Sequence, residues 1–166
     1  MKMKMKLIIL VITTLLLNQA CGNDNADNCH KVITFKNITA DTLYVVGSSQ
    51  YPDTSTFVGI PSPELNPNFT KVLPNESNTQ VLWNRDCLEV GIKELIPSDT
   101  MMIYVFNARA LEENSWETVK SKHLVLKRYD LSLGDLQKAN WIISYPPSEV
   151  MKDMKMHPPY NKQGAP

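Results

Sequence analysis

Motifs for common enzyme chemistry are absent from this sequence. The chain contains no HExxH or paired Cys-x-x-Cys metal pattern, no P-loop, no Gly-rich dinucleotide fingerprint and no Gly-x-Ser-x-Gly nucleophile elbow. The three histidines, His30, His123 and His157, lie far apart along the chain, so they lack the spacing of a metal-ligand set. We therefore predict no catalytic residues, no metal and no cofactor.

An excess of basic residues is also lacking. Residues 1–20 contain three of the 17 lysines and arginines and none of the 17 acidic residues, which leaves fourteen basic against 17 acidic residues in the rest of the chain. A net charge near −3 does not match the clustered basic surface of a nucleic-acid-binding protein. We predict no nucleic-acid partner.

The first twenty residues have the pattern of a secretory signal. Lys2, Lys4 and Lys6 precede a mainly apolar run from Leu7 to Leu17. As a helix this run would be about 16 Å long, which is well short of a bilayer core of roughly 30 Å. It therefore predicts a cleaved signal rather than a transmembrane anchor.

The end of this signal resembles the lipobox of bacterial lipoproteins, Leu-(Ala/Ser)-(Gly/Ala)-Cys. Ala20 and Cys21 match that pattern, and Leu17 lies one position further out than its leucine. The resemblance implies a lipoprotein signal peptide over residues 1–20 and lipidation of Cys21. More than one acyl chain on Cys21 would anchor the protein stably in a membrane.

A polar segment follows the lipidation site. Residues 22–28 are rich in Asn and Asp and contain no bulky side chain, which predicts a flexible tether over residues 21–29. Asp24 and Asp27 give the segment a partial resemblance to the acidic export signal of Bacteroidetes lipoproteins. That resemblance implies a place at the outer membrane, and it favours a cell-surface orientation over a periplasmic one.

The cysteine count is odd, and lipidation of Cys21 accounts for it. Cys29 and Cys87 are then left as one disulfide pair in an oxidising compartment. The bond would close a loop of about 58 residues, worth on the order of 4 kcal/mol in the chain-entropy model. The alternative is a catalytic Cys87 thiol beside His123, although a thiolate outside the cell is prone to oxidation.

The pattern between residues 30 and 147 predicts one mainly β domain, an antiparallel β-sandwich of the immunoglobulin-like or transthyretin-like kind. The apolar run Met101–Phe106 predicts a central strand, and residues 31–38 and 42–47 predict a hairpin. Two short helices are expected, at residues 108–120 and after a capping box at Ser132. Other strands are predicted at 56–60, 69–73, 79–83, 124–129 and 141–145, and residues 148–166 are predicted to form a mobile tail.

Several segments resemble a family of small uncharacterised Bacteroidales outer-membrane lipoproteins. The resemblance covers most of residues 30–147 and implies lineage and location, but no activity. The segments that carry it are Tyr51–Thr54, Ala110-Leu111, Ser115-Trp116, Lys127–Leu133, Asp135–Lys138 and Trp141–Pro147.

Three further side chains are candidates for contact or modification. Trp83 precedes a polar Asn-Arg-Asp run, and exposed indoles often contact protein or glycan partners. Thr42 and Thr100 follow aspartate and precede an apolar residue, which resembles the Bacteroidales O-glycosylation pattern. Trp116 and Trp141 lie in apolar patterns and are expected in the core.

These observations favour a lipid-anchored envelope lipoprotein that acts as a binding or structural module. One alternative is an extracytoplasmic hydrolase that uses Glu112, Glu113, His123 or Cys87. The other is an immunity or inhibitor protein of the envelope. Both alternatives stay open on the sequence.

Overall fold

Eight short strands form two sheets in the part of the chain that the computed structural model describes, residues 29–53 and 62–161. The predicted signal peptide, Cys21 and most of the predicted tether lie outside these residues, as does the predicted strand 56–60. The strands are β1 Thr34–Asn37, β2 Leu43–Ser48, β3 Lys71–Val72, β4 Ser77–Asn78, β5 Thr100–Asn107, β6 Lys127–Ser132, β7 Ile142–Tyr145 and β8 Lys155–His157.

Five short helices accompany the strands in the same described ranges. They are α1 Pro67–Thr70, α2 Leu88–Leu95, α3 Ala108–Glu112, α4 Trp116–Ser121 and α5 Leu133–Lys138, with 3₁₀ turns at Pro63–Leu65 and Glu149–Met151. The predicted capping box is confirmed, since Ser132 Oγ accepts from Asp135 N–H at 3.2 Å and Asp135 Oδ2 accepts from Ser132 N–H at 3.0 Å. Among the helices described, none is long and apolar enough to cross a membrane.

The larger sheet has the order β3-β2-β5-β6-β8, and each neighbouring pair is antiparallel. Strand β5 lies at its centre and is buried on both faces from Met101 to Phe106, as the sequence predicts. Met101, Ile103 and Val105 alternate with Met102, Tyr104 and Phe106, so each set packs into a different core cluster.

The smaller sheet has the order β4-β1-β7, and β1 pairs with β7 in parallel. The predicted hairpin between β1 and β2 is therefore wrong, and so is a wholly antiparallel arrangement. The buried Asn37 explains the crossing, because its Nδ2 donates to the carbonyls of Asp41 at 2.7 Å and Leu73 at 3.0 Å. Its Oδ1 accepts from Thr39 N–H at 2.9 Å. These bonds form a turn that carries the chain from one sheet to the other.

The main core lies between the smaller sheet and one face of the larger sheet. Helices α2 and α5 add Leu88, Ile92 and Leu136 to this core. Tyr129 in β6 is fully buried, and its hydroxyl donates to Ser144 O in β7 at 2.7 Å, which joins the two sheets. The opposite face of the larger sheet packs against α3 and α4, so the fold is β-rich and mixed α/β.

Residues 148–161 are structured, in contrast to the predicted mobile tail. Strand β8 pairs with β6, and Met151, Met154 and Met156 are buried in the main core. Three methionines in six residues supply the apolar surface that holds this segment in place. Their spacing shows no sustained period, which explains why the pattern predicts no strand here. Residues 79–83, predicted as a strand, form no strand either; the chain pairs earlier, at Ser77–Asn78.

Candidate ligand-binding cleft

A cleft of about 540 Å³ opens at one end of the two sheets. The residues around it come from the ends of β2, β5, β6 and β7 and from the segments that follow β1, β7 and β8. They are Thr39, Asp41, Leu43, Asn107, Leu126, Lys127, Tyr145, Pro147, Pro158, Pro159 and Asn161. A volume of this size is typical of sites for small molecules, which occupy roughly 300–1,000 Å³.

The strand register brings these residues to the same end. Leu43 at the start of β2 lies opposite Asn107 at the end of β5. Lys127 at the start of β6 lies opposite Val105, which is two residues before the end of β5 at Asn107. On the other sheet, Tyr145 ends β7, and its carbonyl accepts from Ile38 N–H at 2.9 Å. The cleft is therefore the gap where the two sheets separate.

Lys127 is the more buried of the two charged residues that line this cleft, the other being Asp41. Its side chain follows the inward alternation of Tyr129 and Leu131, and the residue is only 7% exposed. Nζ donates to Pro158 O at 2.9 Å, and none of the ion pairs in the described part of the chain includes Lys127. Burial lowers the pKa of Lys127, because the ammonium loses hydration without gaining a carboxylate partner.

A negatively charged residue, Asp41, and a phenol, Tyr145, lie at the rim of the cleft. Asp41 is exposed, and its Oδ2 accepts from Asn107 Nδ2 at 3.4 Å. Burial raises the pKa of Tyr145, and the charge of Asp41 raises it further. The Tyr145 hydroxyl is therefore protonated at neutral pH and can donate a hydrogen bond.

Proline forms much of the apolar wall. Pro147, Pro158 and Pro159 have no backbone N–H, and their rings restrict φ, so this part of the wall is both apolar and stiff. Leu43 and Leu126 complete it. The cleft thus combines one buried cation, a protonated phenol and a preformed apolar surface, which suits an apolar molecule that carries one anionic group.

The predicted disulfide is confirmed and lies at the other end of β1 and β7. Cys29 and Cys87 are bonded, with their Cα atoms 4.9 Å apart. This bond removes the free thiol that the alternative pairing of Cys87 with His123 needs. Three residues of types that can bind metals lie together here, namely Cys29, Cys87 and Glu89. The two sulfurs are bonded to each other, so they are not the thiolates that bind metals.

A histidine and a carboxylate lie beside the disulfide. His30 stacks on the buried Trp141 at 4.7 Å between ring centroids, and its Nδ1 lies 2.6 Å from Glu89 Oε1. Glu89 Oε2 accepts from His30 N–H at 3.0 Å. Burial alone would raise the pKa of Glu89, but the hydrogen bonds from His30 and from backbone N–H groups outweigh it and lower the pKa.

The other residues singled out in the sequence do not line the cleft. Trp83 is half-buried against the main core, with the Arg85 guanidinium carbon 5.8 Å from its ring centroid. Thr42 and Thr100 are partly exposed; Thr42 directly precedes β2, and Thr100 is the first residue of β5. Trp141 is buried as expected, and Trp116 is half-buried against Phe106.

The candidate acids and base of the hydrolase alternative are exposed. Glu112 ends α3, Glu113 follows it, and His123 lies after α4 with a φ of 51°. None of them lines the cleft. Lys127, the buried cation that does, was not singled out from the sequence. Its alternation with Tyr129 and Leu131 is the signal that could have found it.

Comparison with protein families, with curated proteins and with solved structures gives no match to this chain. The chemistry of the cleft is therefore the guide to function.

Proposed function

We propose that this protein is a lipid-anchored lipoprotein of the cell envelope that acts by binding. In this proposal Cys21 carries the lipid at the outer membrane, facing the cell surface, and the cleft binds a small molecule with an apolar body and a carboxylate. The lipobox resemblance supports the anchor. The buried Lys127 is the main observation that supports the ligand class.

A buried ammonium without a counter-charge is unfavourable, because burial removes its hydration. Lys127 donates to Pro158 O and has two further N–H groups, which a carboxylate in the cleft can accept. A hydrogen bond between two charged groups in such a place is roughly twice as strong as a neutral one. The ligand would thus supply the counter-charge that the described residues do not.

Shape and rigidity support the same ligand class. The proline and leucine walls offer apolar contact, and the Tyr145 hydroxyl offers one more donor to an oxygen of the ligand. Stiff walls reduce the conformational entropy lost on binding. The exposed Asp41 disfavours a second negative charge near the rim, so a monocarboxylate fits better than a dicarboxylate.

Small aromatic and aliphatic carboxylic acids, each paired with its primary amide, test this ligand class. We expect at least one acid to bind and to shift the NMR signals of cleft residues, and its amide to bind about tenfold more weakly. Lys127→Met should abolish the difference between acid and amide. Lys122→Met, at an exposed lysine after α4, is the matched control and should leave it unchanged.

Equal binding of acids and amides would contradict the role of Lys127, as would an unchanged acid affinity in Lys127→Met. Failure of every acid to bind would contradict the ligand class. Melting curves of both variants show whether the fold is retained.

The anchor has a separate test. Cys21→Ser should release the protein from membranes and abolish the mass that acylation adds. Retention on the membrane with unchanged mass would contradict lipidation. Protease treatment of intact cells should cleave the wild-type protein if it faces the cell surface and should spare it if it faces the periplasm.

The other sequence-based assignments remain proposals. Facing sheets support a sandwich of the immunoglobulin-like or transthyretin-like kind, whereas the parallel β1–β7 pair and the packed helices depart from both.

Trp83, with Arg85 beside it, is proposed to contact a protein or glycan partner, and Thr42 and Thr100 are proposed O-glycosylation sites. Capture of one stoichiometric toxin or enzyme from the envelope would favour the inhibitor alternative.

A further inference from the structure

A second group of polar side chains lies on the outer face of the larger sheet. Helices α3 and α4 pack on this face over β2 and β5. The neighbouring strands β6 and β8 carry four charged or titratable residues there, paired across the strands as Arg128 with His157 and Asp130 with Lys155. Because side chains alternate along a strand, these four point away from Lys127 and the cleft.

Asp130 is the centre of this group. Its side chain is 0% exposed, and Arg128 binds it with both Nε and Nη2, at 2.8 and 3.2 Å from the two carboxylate oxygens. This bidentate pair neutralises the carboxylate. Lys155 Nζ and His157 Nε2 each lie 3.7 Å from Asp130 Oδ2. The Lys155 ammonium and the His157 imidazole therefore lie near the same carboxylate oxygen of Asp130.

Those two groups face solvent. The side chains of Lys155 and His157 are 55% and 52% exposed, although both approach a fully buried carboxylate. Lys155 Nζ also donates to the Tyr51 hydroxyl at 2.8 Å, and it lies 4.9 Å from the centroid of that ring. The Lys155 ammonium thus lies beside the Tyr51 hydroxyl, and it shares Asp130 Oδ2 with the His157 imidazole.

We propose that Lys155, His157 and Tyr51 form a binding site for a phosphate or sulfate group, distinct from the cleft. Once Arg128 and Asp130 cancel, Lys155 leaves one positive charge, and a protonated His157 adds a second. A tetrahedral oxyanion has enough acceptor oxygens to receive all three donors at once. Asp130 and Arg128 are positioning residues, since they hold the donors and need not touch the ligand.

The charges around His157 set the net charge that an oxyanion meets at this site. Arg128 and Asp130 face it from β6, and Lys155 adjoins it on β8. The exposed Asp53 acts together with Arg128 and Asp130 on the Tyr104 hydroxyl of β5. With Asp53 included, the group is near neutral when His157 is neutral and positive when it is protonated. An oxyanion should therefore bind more tightly to the form of the site in which the imidazole is protonated.

Sulfate is the suitable first probe, because it is a dianion at and around neutral pH. We expect sulfate and glycerol phosphate to perturb the NMR signals of Lys155 and His157. Lys155→Met should weaken binding about tenfold, and Tyr51→Phe should weaken it about threefold. His157→Gln, which cannot become cationic, should weaken binding about threefold. Lys36→Met, at an exposed lysine of β1, is the matched control for loss of one positive charge.

Vesicles distinguish the two sources of a phosphate group. Cosedimentation of the Cys21→Ser protein with phosphatidylcholine vesicles that contain phosphatidate, but not with phosphatidylcholine alone, would identify a lipid headgroup. Binding of glycerol phosphate without cosedimentation would identify a soluble ligand. Either result supports the site if Lys155→Met weakens that binding about tenfold.

Three results would overturn the proposal. One is failure of sulfate, glycerol phosphate and phosphatidate vesicles all to bind. Another is unchanged affinity in both Lys155→Met and His157→Gln. The third is equal weakening by Lys36→Met, which would indicate nonspecific attraction. Since Lys155 and His157 are more than half exposed, we expect all these variants to melt near the wild-type temperature.

Discussion

The Cys29–Cys87 disulfide should be a major source of stability for the domain. It joins residues 58 apart in sequence, so in the chain-entropy model it removes loop entropy worth about 4 kcal/mol from the unfolded state. A double Cys29→Ala/Cys87→Ala variant should lose that amount of unfolding free energy. For a domain of this size, the melting temperature should fall by about 14 °C.

Loss of the disulfide should leave the cleft unchanged, because the two lie at opposite ends of β1 and β7. The disulfide lies at the starts of β1 and β7, whereas the cleft lies at their ends. Backbone bonds also hold this region, such as Leu88 N–H to His30 O at 2.8 Å, so the variant should still fold. We expect its affinity for a cleft ligand to equal that of the wild type.

Urea denaturation followed by tryptophan fluorescence measures this loss. The wild-type protein under reducing conditions is the internal control and should match the double variant. A loss below about 1 kcal/mol would refute the entropy argument, since the residual structure of the unfolded chain would then outweigh loop closure. A loss of stability together with loss of ligand affinity would refute the separation of the two ends.

Two further predictions concern the core and the disulfide region. Tyr129→Phe should lower the unfolding free energy measured in urea by about 1–2 kcal/mol, because the buried Ser144 carbonyl loses its donor. The Tyr160 hydroxyl bonds Glu149 at the surface, so the control variant Tyr160→Phe should change the unfolding free energy little. Equal effects of the two substitutions would contradict the role of the inter-sheet hydrogen bond. The pKa of Glu89 is lower in the folded protein than its ordinary value of 4.5. Ionised Glu89 therefore stabilises the native state fully above pH 4.5, and this stabilisation is lost as the pH falls through the folded-state pKa. The difference in unfolding free energy between wild type and Glu89→Gln should thus be present at neutral pH and close below about pH 4.5, and a difference independent of pH would contradict it.

Local patterns in the sequence predict the elements that carry a strong local signal. The apolar run Met101–Phe106 gives a strand buried on both faces, and the Ser132–Asp135 capping box begins a helix, because each signal depends on neighbours in sequence. The disulfide follows from the count of cysteines. Pairing partners are different, because β1 reaches β7 across more than a hundred residues and no local pattern encodes that contact.

The candidate sites are harder to predict than the strands. Lys127 is a common residue that follows an apolar run, and only its place on the inward face of β6 makes it a buried cation. Asp130 and Lys155 are brought together by the β6–β8 pairing, and that pairing depends on methionines that show no period. In both cases the chemistry arises from burial and long-range register.

The amino-acid sequence by itself therefore determined the β-rich class, the central strand and the cysteine pair, and it alone carries the prediction of lipidation at Cys21. Each of these depends on residue type and on near neighbours. The tertiary structure decided the parallel β1–β7 pair, the ordered methionine segment, the cleft around Lys127 and the cationic group around Asp130. These depend on which distant surfaces exclude water together, and that is a property of the packed chain.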